Sequence, residues 1–443
     1  MQVRSRSTHL EKKFLSWSVL LGTSLLLTGC PEVPDSAFWA ENVAEPGIKK
    51  EYVEVRVGES ATLAWNRAEI EADIGEITEI DITPQIGVVD SLANGVTFVP
   101  EISSHYTAAI VGSEDLLMVD SGEVIVLREY CGGTDVHGNE YQVDLDLQLP
   151  NDAEFPNGNF PAIVFIHPGG WDTGDYSDFY AYMPEATGRG YAAISINHRL
   201  SKSDEMVWPG HIQDAKCAVR WLRANAQTYN LNPEAIAAVG FSAGGHLAAM
   251  LGVTDQSSTP EIQTEIDRFK NEGGFSGVDD SVQAVVSIAG LHDLAASYFN
   301  EGGGDVYTKF LGRLPVDGDD ALYALASPVH YVDAQSAAKP FLMINSELDI
   351  TVTPVNGCRL KLALESAGSN NAHMLLYPEG SHLSYVEYRD FRNVFSGATL
   401  HKTINNVFLF LDYQFMSGPE PSASYSDPLV SSASCETLVQ NDI

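Results

Sequence analysis

The pentapeptide Gly240-Phe241-Ser242-Ala243-Gly244 constrains this chain more than any other feature, because two patterns meet there. Before it, Ile236-Ala237-Ala238-Val239 is a short apolar run of the kind a buried parallel strand shows. After it, Gly245 to Leu251 is small, apolar and composed of good helix formers. A serine at that junction sits on a tight strand-to-helix turn that lifts its hydroxyl out of the fold. Glycines two positions to either side keep side chains off the strained backbone. The helix start and the next backbone N–H then point at any negative charge formed beside Ser242. The pattern predicts a nucleophile elbow.

A serine hydroxyl is a weak nucleophile at neutral pH and needs a base, itself oriented by a carboxylate. On such an elbow the partners follow in the order serine, acid, histidine. After the apolar strand Phe341-Leu342-Met343-Ile344 comes Asn345-Ser346-Glu347-Leu348-Asp349. After the strand Met374-Leu375-Leu376-Tyr377 comes Pro378-Glu379-Gly380-Ser381-His382. Both follow strands, at the carboxyl edge of the sheet where Ser242 emerges. Asp349 is expected to orient His382, with Glu347 the fallback acid, and His382 to take the Ser242 proton. His246, in the helix after the elbow, is expected to pack there instead.

A tetrahedral intermediate also needs donors aimed at its developing charge. The strand Ala162–Ile166 runs into His167-Pro168-Gly169-Gly170-Trp171, which resembles the His-Gly-Gly-Gly motif of esterases with Pro168 in place of the first glycine. Proline has no N–H, so donation falls to Gly169 and Gly170, joined by the Ala243 N–H. Trp171, beside this loop, is expected to line the substrate pocket, with a scaffold role as the alternative. Asp214-Ala-Lys-Cys-Ala-Val-Arg-Trp-Leu-Arg-Ala-Asn225, Gly240-Phe-Ser-Ala-Gly-Gly-His246 and Ser327-Pro-Val-His330 together resemble α/β-hydrolase carboxylesterases. The branch they resemble is the acetylxylan/feruloyl esterase-like group, near the hormone-sensitive-lipase type. The resemblance covers roughly residues 130–413. It implies hydrolysis of carboxylic esters with no metal or cofactor, and structural roles for Asp214, Arg220 and Trp221. Asn197-His198-Arg199-Leu200 departs from the family's Tyr-Arg-Leu, with His198 in the aromatic place.

The chain has 443 residues, enough for two or three domains. Arg4, Arg6, Lys12 and Lys13 precede an apolar run from Phe14 to Leu27, too short for a comfortable membrane span. Leu27-Thr28-Gly29-Cys30 resembles a bacterial lipobox. That implies cleavage after residue 29, acylation of Cys30, and an exported enzyme held to the membrane by lipid alone. With Pro31 following, the outer membrane or cell surface is the expected destination. Losing residues 1–29 removes four basic residues and one acidic one, taking the formal charge from −35 to −38. Such a surface argues against nucleic acid as a partner.

Residues 30–47 read as a tether. Over 48–128 short alternating runs such as Val53–Val57, Ala61–Trp65, Val96–Val99 and Tyr106–Ile110 predict an all-β sandwich. Gly58–Trp65 and Ser104–Ala108 resemble bacterial immunoglobulin-like modules. Residues 129–416 alternate strands and helices, an α/β domain with a mostly parallel sheet. An antiparallel strand is expected at Val143–Leu147 and helices at Asp214–Ala226, Gly357–Ala367 and Lys402–Phe410. The polar insert 252–280 and the segment 298–320 are expected to rim the pocket, and 417–443 to form a loose tail unless Cys435 ties it down. Cys131, Cys217, Cys358 and Cys435 allow three disulfide pairings and have no metal-ligand spacing. Cys217 reads as a buried free thiol, and Cys131 with Cys435 as a trial pair.

The expectation is therefore a serine carboxylesterase of short acyl or aryl esters, acetyl or feruloyl groups on small molecules or polysaccharides. The absence of a large apolar cap argues against long acyl chains. The alternatives are an exopeptidase of prolyl-oligopeptidase type, disfavoured because no propeller repeats precede the domain, and a surface glycan-binding protein.

Overall fold

The structure is a computed structural model. It describes residues 37–39, 52–64, 67–83, 89–92, 95–100, 103–113, 116–134, 138–151, 154–201, 208–270, 272–301, 304–316, 318, 320–385, 396–416 and 435–441. The expected signal sequence, Cys30 and most of the expected tether lie outside the described residues, as do residues 417–434 and 442–443. Two compact units divide at Arg128 and Glu129.

The first unit contains strands β1 (Ala37–Trp39), β2 (Tyr52–Arg56) and β3 (Ala61–Ala64), helix α1 (Arg67–Ile74), then β4 (Ile77–Thr83), β5 (Val89–Leu92), β6 (Gly95–Phe98), β7 (Ser104–Gly112) and β8 (Leu116–Thr134), whose end enters the second unit. They form one sheet in the order β1-β3-β6-β5, and a second in which β4 pairs β7, β7 pairs β8 and β2 pairs β8. Helix α1 corrects the all-β expectation. Its sequence Arg-Ala-Glu-Ile-Glu-Ala-Asp-Ile alternates polar and apolar residues as a strand would, but Ala and Glu favour helix; it buries Ile70 and carries an Arg67–Glu71 ion pair one helical turn apart.

The second unit begins with β9 (Glu140–Gln148), β10 (Phe160–Ile166), α2 (Met183–Gly188), β11 (Ala192–Ile196), α3 (Gly210–Ala224), β12 (Leu231–Phe241), α4 (Ala243–Val253) and α5 (Pro260–Ile266). It continues through β13 (Ala284–Ile288), α6 (Leu294–Glu301), α7 (Gly304–Leu311), α8 (Ala321–Leu325), β14 (Phe341–Ser346), α9 (Val355–Ser366), β15 (Ala372–Tyr377), α10 (Ser396–Phe415) and α11 (Cys435–Asn441). The strand order is β15-β14-β13-β12-β10-β11-β9, parallel except for β9 against β11. Strands β10, β11 and β13 are buried along their whole length, as continuous apolar runs covered on both faces must be.

Period-two alternation sends Ala162, Val164 and Ile166 of β10 into the core beneath α3 and α4, and Ile163 and Phe165 into the core beneath α2 and α10. The sheet is thus the middle layer of three. The chain leaves β10 for β11 on one side and returns to β12 on the other. The reversal falls between β10 and β12, and the carboxyl ends of strands at such a reversal are where open α/β sheets bind ligands. Ile166 is paired with Gly240, so the His167–Gly170 loop and Ser242 leave the sheet side by side.

Disulfides join Cys131 to Cys217 and Cys358 to Cys435. This corrects both cysteine expectations: Cys217 is not a free thiol, and Cys131 does not pair with Cys435. The second bond fastens α11 to α9, so residues 435–441 are not loose. Sequence spacing carries no information on which chain segments a sheet brings together, and the pairing follows from that folding.

Candidate active site

The elbow is made by steric exclusion. Ser242 adopts φ 56° and ψ −119°, a conformation that L-residues rarely accept, and its N–H donates to the Ile288 carbonyl at 2.8 Å. A Cβ on Gly240 would fall 2.0 Å from the Gly244 carbonyl oxygen, and one on Gly244 would fall 1.9 Å from that of Ile166. The two flanking glycines let the turn close on itself and against β10. Ala243 opens α4, where the first amides have no intrahelical acceptor.

Three elements bring Ser242, His382 and Asp349 together. The Ser242 Oγ lies 2.9 Å from His382 Nε2, and His382 Nδ1 lies 2.7 Å from Asp349 Oδ2. With Nδ1–H donating to the carboxylate, Nε2 is left as the acceptor for the serine hydroxyl. The N–H groups of Thr351 and Val352 donate to the other oxygen, Asp349 Oδ1, at 2.9 and 3.0 Å. Asp349 is only 2% exposed, which keeps these bonds out of competition with water. The fallback acid Glu347 is exposed, and its sequence neighbour Ser346 instead donates to the Gly380 carbonyl at 2.6 Å, joining the acid loop to the histidine loop. Phe241 packs 4.9 Å from the His382 ring.

The loop after β10 turns through three left-handed residues, Gly169, Gly170 and Trp171. Its peptide planes are held from behind. His167 Nδ1 donates to the Pro168 carbonyl at 2.7 Å, and Thr173 donates to the Gly169 carbonyl through its N–H at 3.1 Å and its Oγ1 at 3.0 Å. In a trans peptide the N–H points opposite the C=O, so these bonds turn the Gly169 and Gly170 N–H groups to the free side of the loop. A Cβ on Gly169 would sit 2.1 Å from the Thr173 carbonyl oxygen, so only glycine fits. His167, Thr173 and Ser346 were not singled out from sequence. A histidine directly before Pro-Gly-Gly, able to reach the proline carbonyl, was the available signal for the first.

Trp171 is corrected to its scaffold alternative. Its ring is fully enclosed, stacked 4.0 Å from Phe310, and its indole N–H donates to His246 Nδ1 at 3.2 Å. His246 in turn donates from Nε2 to the Ala326 carbonyl at 2.7 Å, a packing role as expected. His198 stacks on His167 with centroids 4.2 Å apart, doing from the aromatic position what a flat ring would do behind the loop. Burial pushes the His167 pKa down to about 4 and that of His198 well below its ordinary value, so both rings are neutral at pH 7.

Asp214 pairs with Arg199 at 2.8 Å, and Arg220 donates to the Gly274 carbonyl at 3.1 Å. The Glu272–Asp280 stretch is thereby held on α3, with Lys216 and Asp280 2.9 Å apart. Segment 298–320, by contrast, reaches the loop after β10: Lys309 of α7 is ion-paired with Asp172.

Residues 145–364 match the BD-FAE family profile. Esterase LipQ of Mycobacterium tuberculosis is 30% identical over 229 residues, which is 51% of this chain and 51% of that protein. Esterase LipC of the same organism is 32% identical over 211 residues, 46% and 48% of the two chains. The chain spans about half the length of these curated relatives. The apo form of Thermogutta terrifontis esterase 2 superposes with a TM-score of 0.50 at 22% identity, over 66% of this chain and 96% of that one. That likeness, with the mostly parallel sheet, gives the second unit an α/β-hydrolase fold.

Proposed function

We propose that this chain is a serine carboxylic ester hydrolase. One observation carries the reading: a hydroxyl on a strained elbow, bonded to an imidazole whose far nitrogen is bonded to a buried carboxylate. Ser242 Oγ attacks the ester carbonyl as its proton passes to His382 Nε2. The carbonyl electrons move onto oxygen, where the N–H groups of Gly169, Gly170 and Ala243 receive them. Collapse breaks the bond to the alcohol, which leaves with the His382 proton. Water then loses a proton to His382 and attacks the acyl-enzyme, releasing the acid and restoring Ser242. Asp349 keeps the Nδ1–H tautomer and stabilises the imidazolium in both halves.

The substrates we assign are short acyl or small aryl esters, acetyl and feruloyl groups on small molecules or polysaccharide among them. Neither 252–280 nor 298–320 reads as a large apolar cap, which supports a site for small acyl groups. The polysaccharide setting rests on the export that Leu27–Cys30 implies, with Cys30 as lipid anchor and residues 48–128 as an immunoglobulin-like spacer. The mature chain should hydrolyse para-nitrophenyl acetate and butyrate faster than decanoate. A preference for decanoate would overturn the short-chain assignment, and inactivity on all three would overturn the esterase reading.

A further inference from the structure

Helix α7 is amphipathic in a way that bears on substrate choice. Tyr307, Phe310 and Leu311 are buried, whereas Val306 and Lys309, three residues apart and so on one face, point the other way. Both faces of the helix meet the loop after β10, residue by residue. A Cβ on Gly170 would touch the Val306 Cγ1 at 3.4 Å, Phe310 stacks on Trp171, and Lys309 pairs with Asp172. The two flanking contacts fix α7, and hence Val306, relative to the Gly170 backbone. Yet Val306 is 38% exposed, so its methyl groups face open space beside a proposed oxyanion donor.

Resting on the esterase reading above, we infer that Val306 sets the size of the acyl group this site accepts. The carbonyl oxygen must lie at hydrogen-bond distance from the Gly170 N–H. Bond and contact lengths laid end to end then put the Val306 methyl groups at most about 9 Å from that oxygen. An acetyl methyl need not reach them, whereas an acyl chain of about six carbons can. The leaving oxygen has to reach His382 Nε2 for its proton, which directs the alcohol to the histidine side of the site. The acyl group, on the other arm of the carbonyl carbon, is the part we direct towards Val306.

The test is kcat/KM for wild type, Val306→Ala and Val306→Phe, each confirmed folded by its melting temperature. One series varies the acyl group from para-nitrophenyl acetate to hexanoate, and a second varies the alcohol of simple acetates. The hexanoate-to-acetate ratio should rise several-fold in Val306→Ala and fall about ten-fold in Val306→Phe, the scale on which pocket contacts discriminate methylene groups. The alcohol series should stay within about two-fold. Equal ratios in all three proteins, a shift of both variants in one direction, or a shift confined to the alcohol series overturns the inference. In each of those cases loss of hydrolysis in Ser242→Ala would leave the esterase reading standing. Hydrolysis that survives Ser242→Ala removes that reading, and this inference with it.

Discussion

Ser242→Ala is expected to lower kcat on short esters by about four to six orders of magnitude while leaving the melting temperature within a few degrees. The fold tolerates the change because the Ser242 backbone is held by the Ile288 carbonyl and by the flanking glycines, not by its hydroxyl. What disappears is the nucleophile itself. Asp349→Asn should cost nearly as much, about four orders of magnitude, for a different reason. An amide at that position can donate to Nδ1, favouring the tautomer in which Nε2 carries the proton and cannot accept one from Ser242. Parallel measurement of kcat and melting temperature separates this from unfolding. An asparagine variant that keeps a tenth or more of the activity would contradict the role given to Asp349.

Acidification should destabilise this protein well above the pH at which its carboxylates titrate. His167, His198, His211, His246 and His292 are all buried, and burial depresses every one of their pKa values, to about 4 for His167 and His292 and about 3 for His246. In the unfolded chain each titrates near 6.5. The folded values lie below the unfolded ones, so the unfolded state binds more protons between about pH 6.5 and 4. The stability these groups contribute is complete above about 6.5 and is lost as pH falls through that window. Each costs on the order of 1 kcal/mol per pH unit there, against a typical net stability of about 5–15 kcal/mol. Carboxylates ionise near 4, so relief of the −35 charge begins only at the bottom of the window. Urea midpoints should therefore fall steeply between pH 6.5 and 5. A midpoint unchanged over that range would show that these imidazoles are not buried neutral.

The parts of the fold legible in sequence were those where local pattern and tertiary role coincide. Ile236–Val239 reads as buried strand because β12 is covered on both faces, and the glycines around Ser242 stand where any side chain would collide. Asp349 and His382 could be found because each directly follows an apolar strand, so their places at one sheet edge were implied before any contact was known. What escaped depends on segments distant in sequence. Trp171 stands next to Gly169 and Gly170, but whether it faces substrate or core is decided by Phe310 and His246, far along the chain. Cys131 finds Cys217 only because β8 and α3 are brought together. Helix α1 was lost for the opposite reason: its polar–apolar alternation, Arg-Ala-Glu-Ile-Glu-Ala-Asp-Ile, is the local pattern of a strand. The stacking of His198 on His167 was hidden because a histidine in an aromatic place announces a charge, and burial removes that charge.

The central claim is that Ser242 is the residue acylated during turnover. The most direct measurement is mass spectrometry of the protein after reaction with a fluorophosphonate, followed by mapping of the modified peptide. One adduct per chain is predicted, on the peptide containing Gly240–Gly244, with activity lost in proportion and no adduct on Ser242→Ala. Full inactivation with the adduct elsewhere, or complete labelling of Ser242 with hydrolysis undiminished, would contradict it.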